Sequence, residues 1–195
     1  MPEQYSFAGM APPLVEAASV FFAIYPDAND AARATSIAEE LRGRLGLSGR
    51  LRPLHVSLHY LGDRAMLPDS KIEAACRIAA SIAFPPFEIT FDRVTSFGSG
   101  GNAPVVMRGT DDVTALVGFW QTLGLALQKE KILKRLGACF VPHMTLLYNP
   151  RRIDERAIEP FRWTAREFRL VQSRVGQGEH VTLARWPLDG QDRPA

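Results

Sequence analysis

Residues Arg52 to Gly62 read RPLHVSLHYLG, and residues Val141 to Pro150 read VPHMTLLYNP. Each stretch holds a histidine, any residue, a hydroxyl residue and an apolar residue: His55-Val56-Ser57-Leu58 and His143-Met144-Thr145-Leu146. A third copy of this word, His180-Val181-Thr182-Leu183, lies near the end of the sequence. Successive side chains of a strand point to opposite faces. His55, Ser57 and His59 are therefore expected on one face, with Val56, Leu58 and Tyr60 on the other. The same alternation sets His143, Thr145 and Leu147 against Met144, Leu146 and Tyr148. Each word would present an imidazole beside a hydroxyl and bury its apolar residues.

The flanking sequence repeats the arrangement. Val20 to Tyr25 (VFFAIY) is rich in β-branched and aromatic residues and reads as a strand ended by Pro26. Asn29 or Asp30 can cap a helix carrying Ala34, Ile37, Ala38, Leu41 and Leu45 on one face, stopped by Gly46 and Gly49. Pro53 and the first word follow. Asp69 can cap a second helix, with Ile72, Ala75, Cys76, Ala79 and Ile82 on one face, closed by Pro85-Pro86. Phe87 to Val94 alternates as a half-buried strand does. The glycine-rich FGSGGN has the wrong spacing for a phosphate loop and reads as a hairpin connection to the strand PVVMRG. Asp111 or Asp112 can cap a third helix with Leu116, Phe119, Trp120, Leu123 and Leu127 inward, and the second word follows. Glu167 to Ser173 and His180 to Trp186 read as final strands. Each half thus runs strand, amphipathic helix, proline, histidine word. This weak duplication predicts an α+β fold in two lobes, with one word per lobe facing a shared cleft.

Composition sets outer bounds. The 195 residues, 46% of them hydrophobic, suit one two-lobed domain, with a loose lead-in over 1–15 and a frayed tail over 189–195. A net charge of +2 gives no strong overall field for nucleic acid. Cys76 and Cys139 sit in apolar surroundings and read as buried thiols of a reducing compartment. The apolar run from Ala17 to Ile24 is too short for a membrane span and lacks a basic region before it, so a cytoplasmic protein is expected. Seven arginines between Arg151 and Arg174, against four acids, can steer a phosphate-rich ligand, although such a run is more often a solvated face.

Two histidines and two hydroxyls facing one cleft suit phosphodiester chemistry. One imidazole takes a proton from the attacking oxygen and the other protonates the leaving oxygen. Histidine titrates near neutrality, so one can be neutral while its partner is charged. The hydroxyls can donate to the non-bridging oxygens. Such chemistry requires no metal. A zinc site on His55, His59 and His143 is an alternative, although no carboxylate stands near either word and His-x-x-x-His is a helical spacing in what reads as a strand.

These words and their surroundings resemble the two-histidine (2H) phosphoesterases, closest to the 2′-5′ RNA ligase or RNA 2′,3′-cyclic phosphodiesterase (LigT-like) branch. The resemblance runs from VFFAIYP through RPLHVSLHYLGD, VTSFGSGGNAPVVMRG and VPHMTLLY to the closing Trp186-Pro187-Leu188. It implies a bilobal duplicated fold whose antiparallel or mixed sheets line a concave groove, with helices packed outside. It implies a metal-independent, cofactor-free phosphodiesterase acting on 2′,3′-cyclic phosphate, on RNA ends or nucleotides, or on 2′-5′ linkages, reversible as ligation. His55 and His143 become the acid–base pair and Ser57 and Thr145 the phosphate ligands. For opening a cyclic phosphate, His55 is assigned the leaving-group proton and His143 the water. His59, Phe97 and Tyr148 are candidate substrate contacts, and Phe22 a second aromatic candidate. A monomer without obligate protein partner or membrane is expected. A non-catalytic nucleotide- or RNA-end-binding module on the same fold is the alternative. Ser57 stands where threonine is commoner, His59 where relatives carry Arg or Lys, and Tyr148-Asn149 where RNA-directed relatives often have arginine. The third word, His180, has too little chain after it to complete a half and is expected near the rim of the last strand.

Overall fold

The computed structural model describes residues 18–98, 101–110, 113–137, 139–174 and 178–191. The lead-in 1–15, the candidate caps Asp111 and Asp112, and residues 192–195 of the tail lie outside them. Among the described residues, eight strands and three α-helices follow in the order β1 (Ala18–Ile24), α1 (Ala28–Arg44), β2 (Val56–Asp63), α2 (Asp69–Ala80), β3 (Phe87–Ser96), β4 (Ala103–Arg108), α3 (Thr114–Lys129), β5 (His143–Asn149), β6 (Arg156–Ala165), β7 (Glu167–Arg174) and β8 (Glu179–Pro187), with a short 3-10 turn at Arg64–Met66 after β2. The strands form two four-stranded sheets, ordered β2-β1-β7-β8 and β5-β4-β3-β6, with every pairing antiparallel. In each sheet the word-bearing strand is an edge, next to the strand that leads into the preceding helix. The duplication read from the sequence is therefore an equivalence of position.

Strand β1 explains how one segment serves both the core and the site. Val20, Phe22 and Ile24 point into the main core. Phe21 and Ala23 point to the other face and form a small second cluster with Val171, against which Tyr25 packs. A strand buried on both faces reads as an unbroken apolar run, as VFFAIY does. Phe22 is fully buried against Phe168 and Trp186 and is a core residue. Its neighbour Phe21 is the aromatic that reaches the site side.

Helix α1 is capped by Asp27, whose Oδ1 accepts from the Asp30 amide (2.9 Å), and not by Asn29 or Asp30. Asp69 is the first helical residue of α2 instead of its cap. Acidic side chains still favour that first turn by opposing the positive end of the helix dipole. Helix α3 buries Leu116, Phe119, Trp120, Leu123 and Leu127, as its periodicity predicts. Strand β6 is absent from the sequence-based expectation. It pairs with β3 so that Phe161 faces Phe91, Trp163 faces Ile89 and Ala165 faces Phe87. Cys76 is half-buried, and Cys139 is exposed because the irregular segment before β5 turns it outward, correcting its reading as a buried thiol. Among the described residues no helix is long and apolar enough to cross a membrane.

Candidate active site

Strands β2 and β5 meet, and the segment before β2 is joined to β5 by a bridge between Leu51 and Leu147. The structure thereby brings the first two histidine words together. His55 Nδ1 donates to the Pro53 carbonyl (2.7 Å), and His143 Nδ1 donates to the Val141 carbonyl (2.8 Å). A carbonyl only accepts, so each ring carries its proton on Nδ1 and leaves Nε2 as the nitrogen not committed to the backbone. The same backbone device, a carbonyl two residues upstream, fixes the tautomer of both. Nε2 of His55 lies 3.0 Å from Ser57 Oγ. Thr145 is partly exposed, two residues beyond His143 on the same face.

Burial pushes the His55 imidazole down to about 4, against the opposing pull of its bond to Pro53, and the charges of His180, His143 and Arg52 lower it further. His55 is therefore neutral at pH 7, with Ser57 donating to its Nε2. A neutral imidazole with a fixed tautomer is equipped to accept a proton.

The two strands do not keep simple alternation. In β2 the register advances from Ser57 to Tyr60 while β1 advances only from Ala23 to Phe21. In β5 it advances from Thr145 to Leu147 while β4 moves by one residue, from Val106 to Val105. Each is a bulge, which places an extra residue in one strand and reverses the facing of the residues beyond it. Leu58 and His59 are consecutively buried, as are Leu146 and Leu147. Tyr60 and Tyr148 emerge at equivalent positions on the exposed side.

This overturns the placement of His59 as a substrate contact. His59 is buried, its Nε2 donates to the Trp120 carbonyl (2.8 Å), and its ring stacks on Trp120 at 5.2 Å. Gly124 of α3 makes room for it, since a Cβ there would lie 2.6 Å from the His59 ring. A ring so engaged cannot converge on zinc with His55 and His143. His59→Ala is expected to lower the melting temperature by roughly 4–12 °C, the equivalent of an orphaned buried carbonyl plus lost stacking. KM should stay within about twofold below the melting range; a large rise in KM with unchanged melting would return His59 to the substrate.

Phe97 sits edge-on to His143 at 4.9 Å, which keeps it among the site candidates. Tyr148 lies on the exposed side of β5 under the Arg52 guanidinium, 5.6 Å away. Asn149 instead is buried, accepting from Ser48 N (3.0 Å) and donating to the Arg151 carbonyl (2.7 Å), so it ties a loop to the strand end.

The third word is closer to the site than its sequence position suggests. His180 on β8 lies 4.8 Å from the His55 ring, edge to face, and its Nδ1 shares a 2.7 Å hydrogen bond with Tyr25 Oη. Phe21 lies 5.5 Å from both imidazoles, and Tyr25 stacks on His55 at 5.5 Å. Burial lowers the His180 imidazole, reinforced by Arg52, and raises the Tyr25 phenol against the pull of Arg169. The expectation of a rim residue apart from the site is corrected: β7 lies beside β1 and carries β8 with it. The sequence signal was the word itself, but Thr182 is exposed on the edge strand and makes no matching pair.

Two antiparallel lobes, each offering a histidine and a hydroxyl from an edge strand, constitute the two-histidine phosphoesterase arrangement. The chain belongs to the 2′-5′ RNA ligase superfamily, whose family model matches residues 26–177. Its fold is similar to that of Escherichia coli LigT in apo form, with a TM-score of 0.67 at 23% identity over 89% of this chain and 99% of that one. It is also similar to TT0787 of Thermus thermophilus, with a TM-score of 0.69 at 19% identity and the same coverage. A further structure described as a phosphoesterase gives a TM-score of 0.66 at 22% identity over 88% of this chain and 98% of that one. Comparison with curated proteins gives no match. Both Tyr25 and His180 lie outside the span of the family model.

Proposed function

We propose that the protein is a metal-independent phosphodiesterase that opens 2′,3′-cyclic phosphates on nucleotides or RNA ends, or cleaves 2′-5′ linkages. The observation that carries this reading is the pair of histidines anchored identically through Nδ1, each beside a hydroxyl, on strands that meet. His55 Nε2 takes a proton from water as its oxygen attacks phosphorus. The bond from phosphorus to one ribose oxygen breaks, and His143, acting as the imidazolium with its second proton on Nε2, protonates that oxygen and returns to the neutral Nδ1–H form. A phosphomonoester and an alcohol result, and solvent resets both imidazoles. This reverses the sequence-based assignment of proton traffic, because the burial of His55 favours its neutral form. Ser57 and Thr145 donate to the non-bridging oxygens, Ser57 turning from His55 to the phosphate when substrate binds. Structures of LigT with 3′-AMP, ATP and phosphate support a nucleotide or RNA phosphate as the substrate class. The reading extends to a monomer acting in the cytoplasm.

The test is incubation with 2′,3′-cyclic AMP and with a short RNA ending in a 2′,3′-cyclic phosphate, in excess chelator, with 2′- and 3′-phosphate products resolved. Turnover to a single isomer is expected. A base titrating at about 4 must stay deprotonated to work, so the acid-side fall in kcat/KM should come only near that pH, with no loss between pH 7 and 5 on this limb. A fall centred near 6.5 would remove His55 as the base. Nucleotide bound and recovered unchanged would favour the binding module.

A further inference from the structure

The junction between the halves leaves a basic pocket next to the histidines. Arg52 N donates to the Leu146 carbonyl (2.8 Å), and Gly49 lies so close to the Tyr148 carbonyl that no side chain fits there. Residues 49–52 are thus laid along β5, just where its bulge turns Tyr148 outward. Arg50, Arg52, Asn102 and Tyr148 line a cavity of about 370 Å³. All four side chains can donate hydrogen bonds, and none is acidic. Among the described residues, neither arginine has a carboxylate within ion-pair distance. Arg52 also lies near enough to His55 and His180 to disfavour charge on either, so one wall of the cavity stands beside the site.

We propose that this pocket binds a second phosphate group of the substrate, beyond the one that reacts. The inference deepens the function proposed above and rests on it for the substrate class. Two guanidinium groups without acidic partners, in one concavity, hold a positive potential that a phosphate neutralises, and their planar forks match its oxygens. The Asn102 amide and Tyr148 hydroxyl add neutral donors. Tyr148 and Asn149, not arginines, stand just beyond the second word in the sequence; the cations that line this cavity arrive from the approach to the first word. The preferred substrates are therefore nucleotides carrying a further phosphate, either a terminal 5′-phosphate or the next internucleotide linkage.

Titration calorimetry with adenosine 2′-monophosphate and adenosine 2′,5′-bisphosphate tests this without requiring turnover. In the unaltered protein the bisphosphate is expected to bind at least about tenfold tighter, the ratio one charge-assisted hydrogen bond supplies. Arg50→Ala should bring that ratio to within about twofold, and Arg50→Lys should restore part of it. Arg50 is exposed, and melting curves of both variants would check that the fold is kept. A dinucleotide ending in a 2′-phosphate without a 5′-phosphate separates the two sources, since an internucleotide site would favour it as strongly as the bisphosphate. Equal affinity for the mono- and bisphosphate, or an advantage that survives Arg50→Ala, overturns the proposal. An Arg50-dependent advantage in a protein that hydrolyses no cyclic phosphate would uphold the pocket and defeat the catalytic reading alone.

Discussion

His143→Ala is expected to lower kcat/KM on a cyclic phosphate by about 10²–10⁴-fold, the range that a positioned proton donor or acceptor contributes. The loss should fall mainly on kcat, because the imidazole acts as the bond to the leaving oxygen breaks. His55→Ala should cost a comparable factor. The double variant should be little worse than either single one, since the two act as a unit. His180→Ala is the informative control. Its ring packs on His55 and bonds to Tyr25 but stands one step back from the hydroxyl pair. A loss of under about tenfold is expected there, from looser positioning of His55. Steady-state rates on 2′,3′-cyclic AMP decide the matter. Equal losses at all three histidines would mean that the site uses the third word directly.

Trp120→Ala should be the most damaging single change to the fold. Its indole is sandwiched between His59, at 5.2 Å, and Phe140, at 5.0 Å, and Nε1 donates to the Leu58 carbonyl (3.1 Å). His59 follows the first word and Phe140 precedes the second, so one side chain holds both in place. Truncating a buried tryptophan costs about 3–5 kcal/mol, which corresponds to a fall of roughly 6–20 °C in melting temperature for a chain of this size. Activity measured well below that temperature should fall too, because the two words lose their common support. Thermal melts followed by circular dichroism would check the first part. Trp120→Phe, which keeps a ring in the stack, should lie between. A variant melting within about 3 °C of the parent would show that the stack contributes little.

Much of this was legible in the sequence because the repeat is local. Strand β1, the three helices and the word strands follow from apolar spacing and turn residues within single segments, although the caps of α1 and α2 fall on Asp27 and Pro68 instead of the residues expected. The bulges were not legible, because they arise between strands: only pairing with β1 and β4 shows that an extra residue is accommodated after each hydroxyl. Alternation therefore placed His59 on the active face and Tyr60 and Tyr148 behind it, the reverse of their positions. Strand β6 was hidden because its outward residues (Arg156, Glu159, Arg162 and Thr164) mask a buried series of Phe161, Trp163 and Ala165. The proximity of His180 depends on β7 lying beside β1, a long-range pairing that no local pattern encodes. The cations near the second word were likewise sought after it in the sequence, whereas the fold supplies Arg50 and Arg52 from across the junction.

The splice at that junction has a mechanical consequence. Leu51 and Arg52 are bonded to β5 within a few residues of both anchored imidazoles, and Gly49 leaves no slack between the chains. A hinge opening between the lobes would have to break those backbone bonds first. The placement of the two imidazoles relative to each other is therefore set like a locked caliper, and any opening for a ligand falls to the side chains and loops around it while the jaws stay fixed.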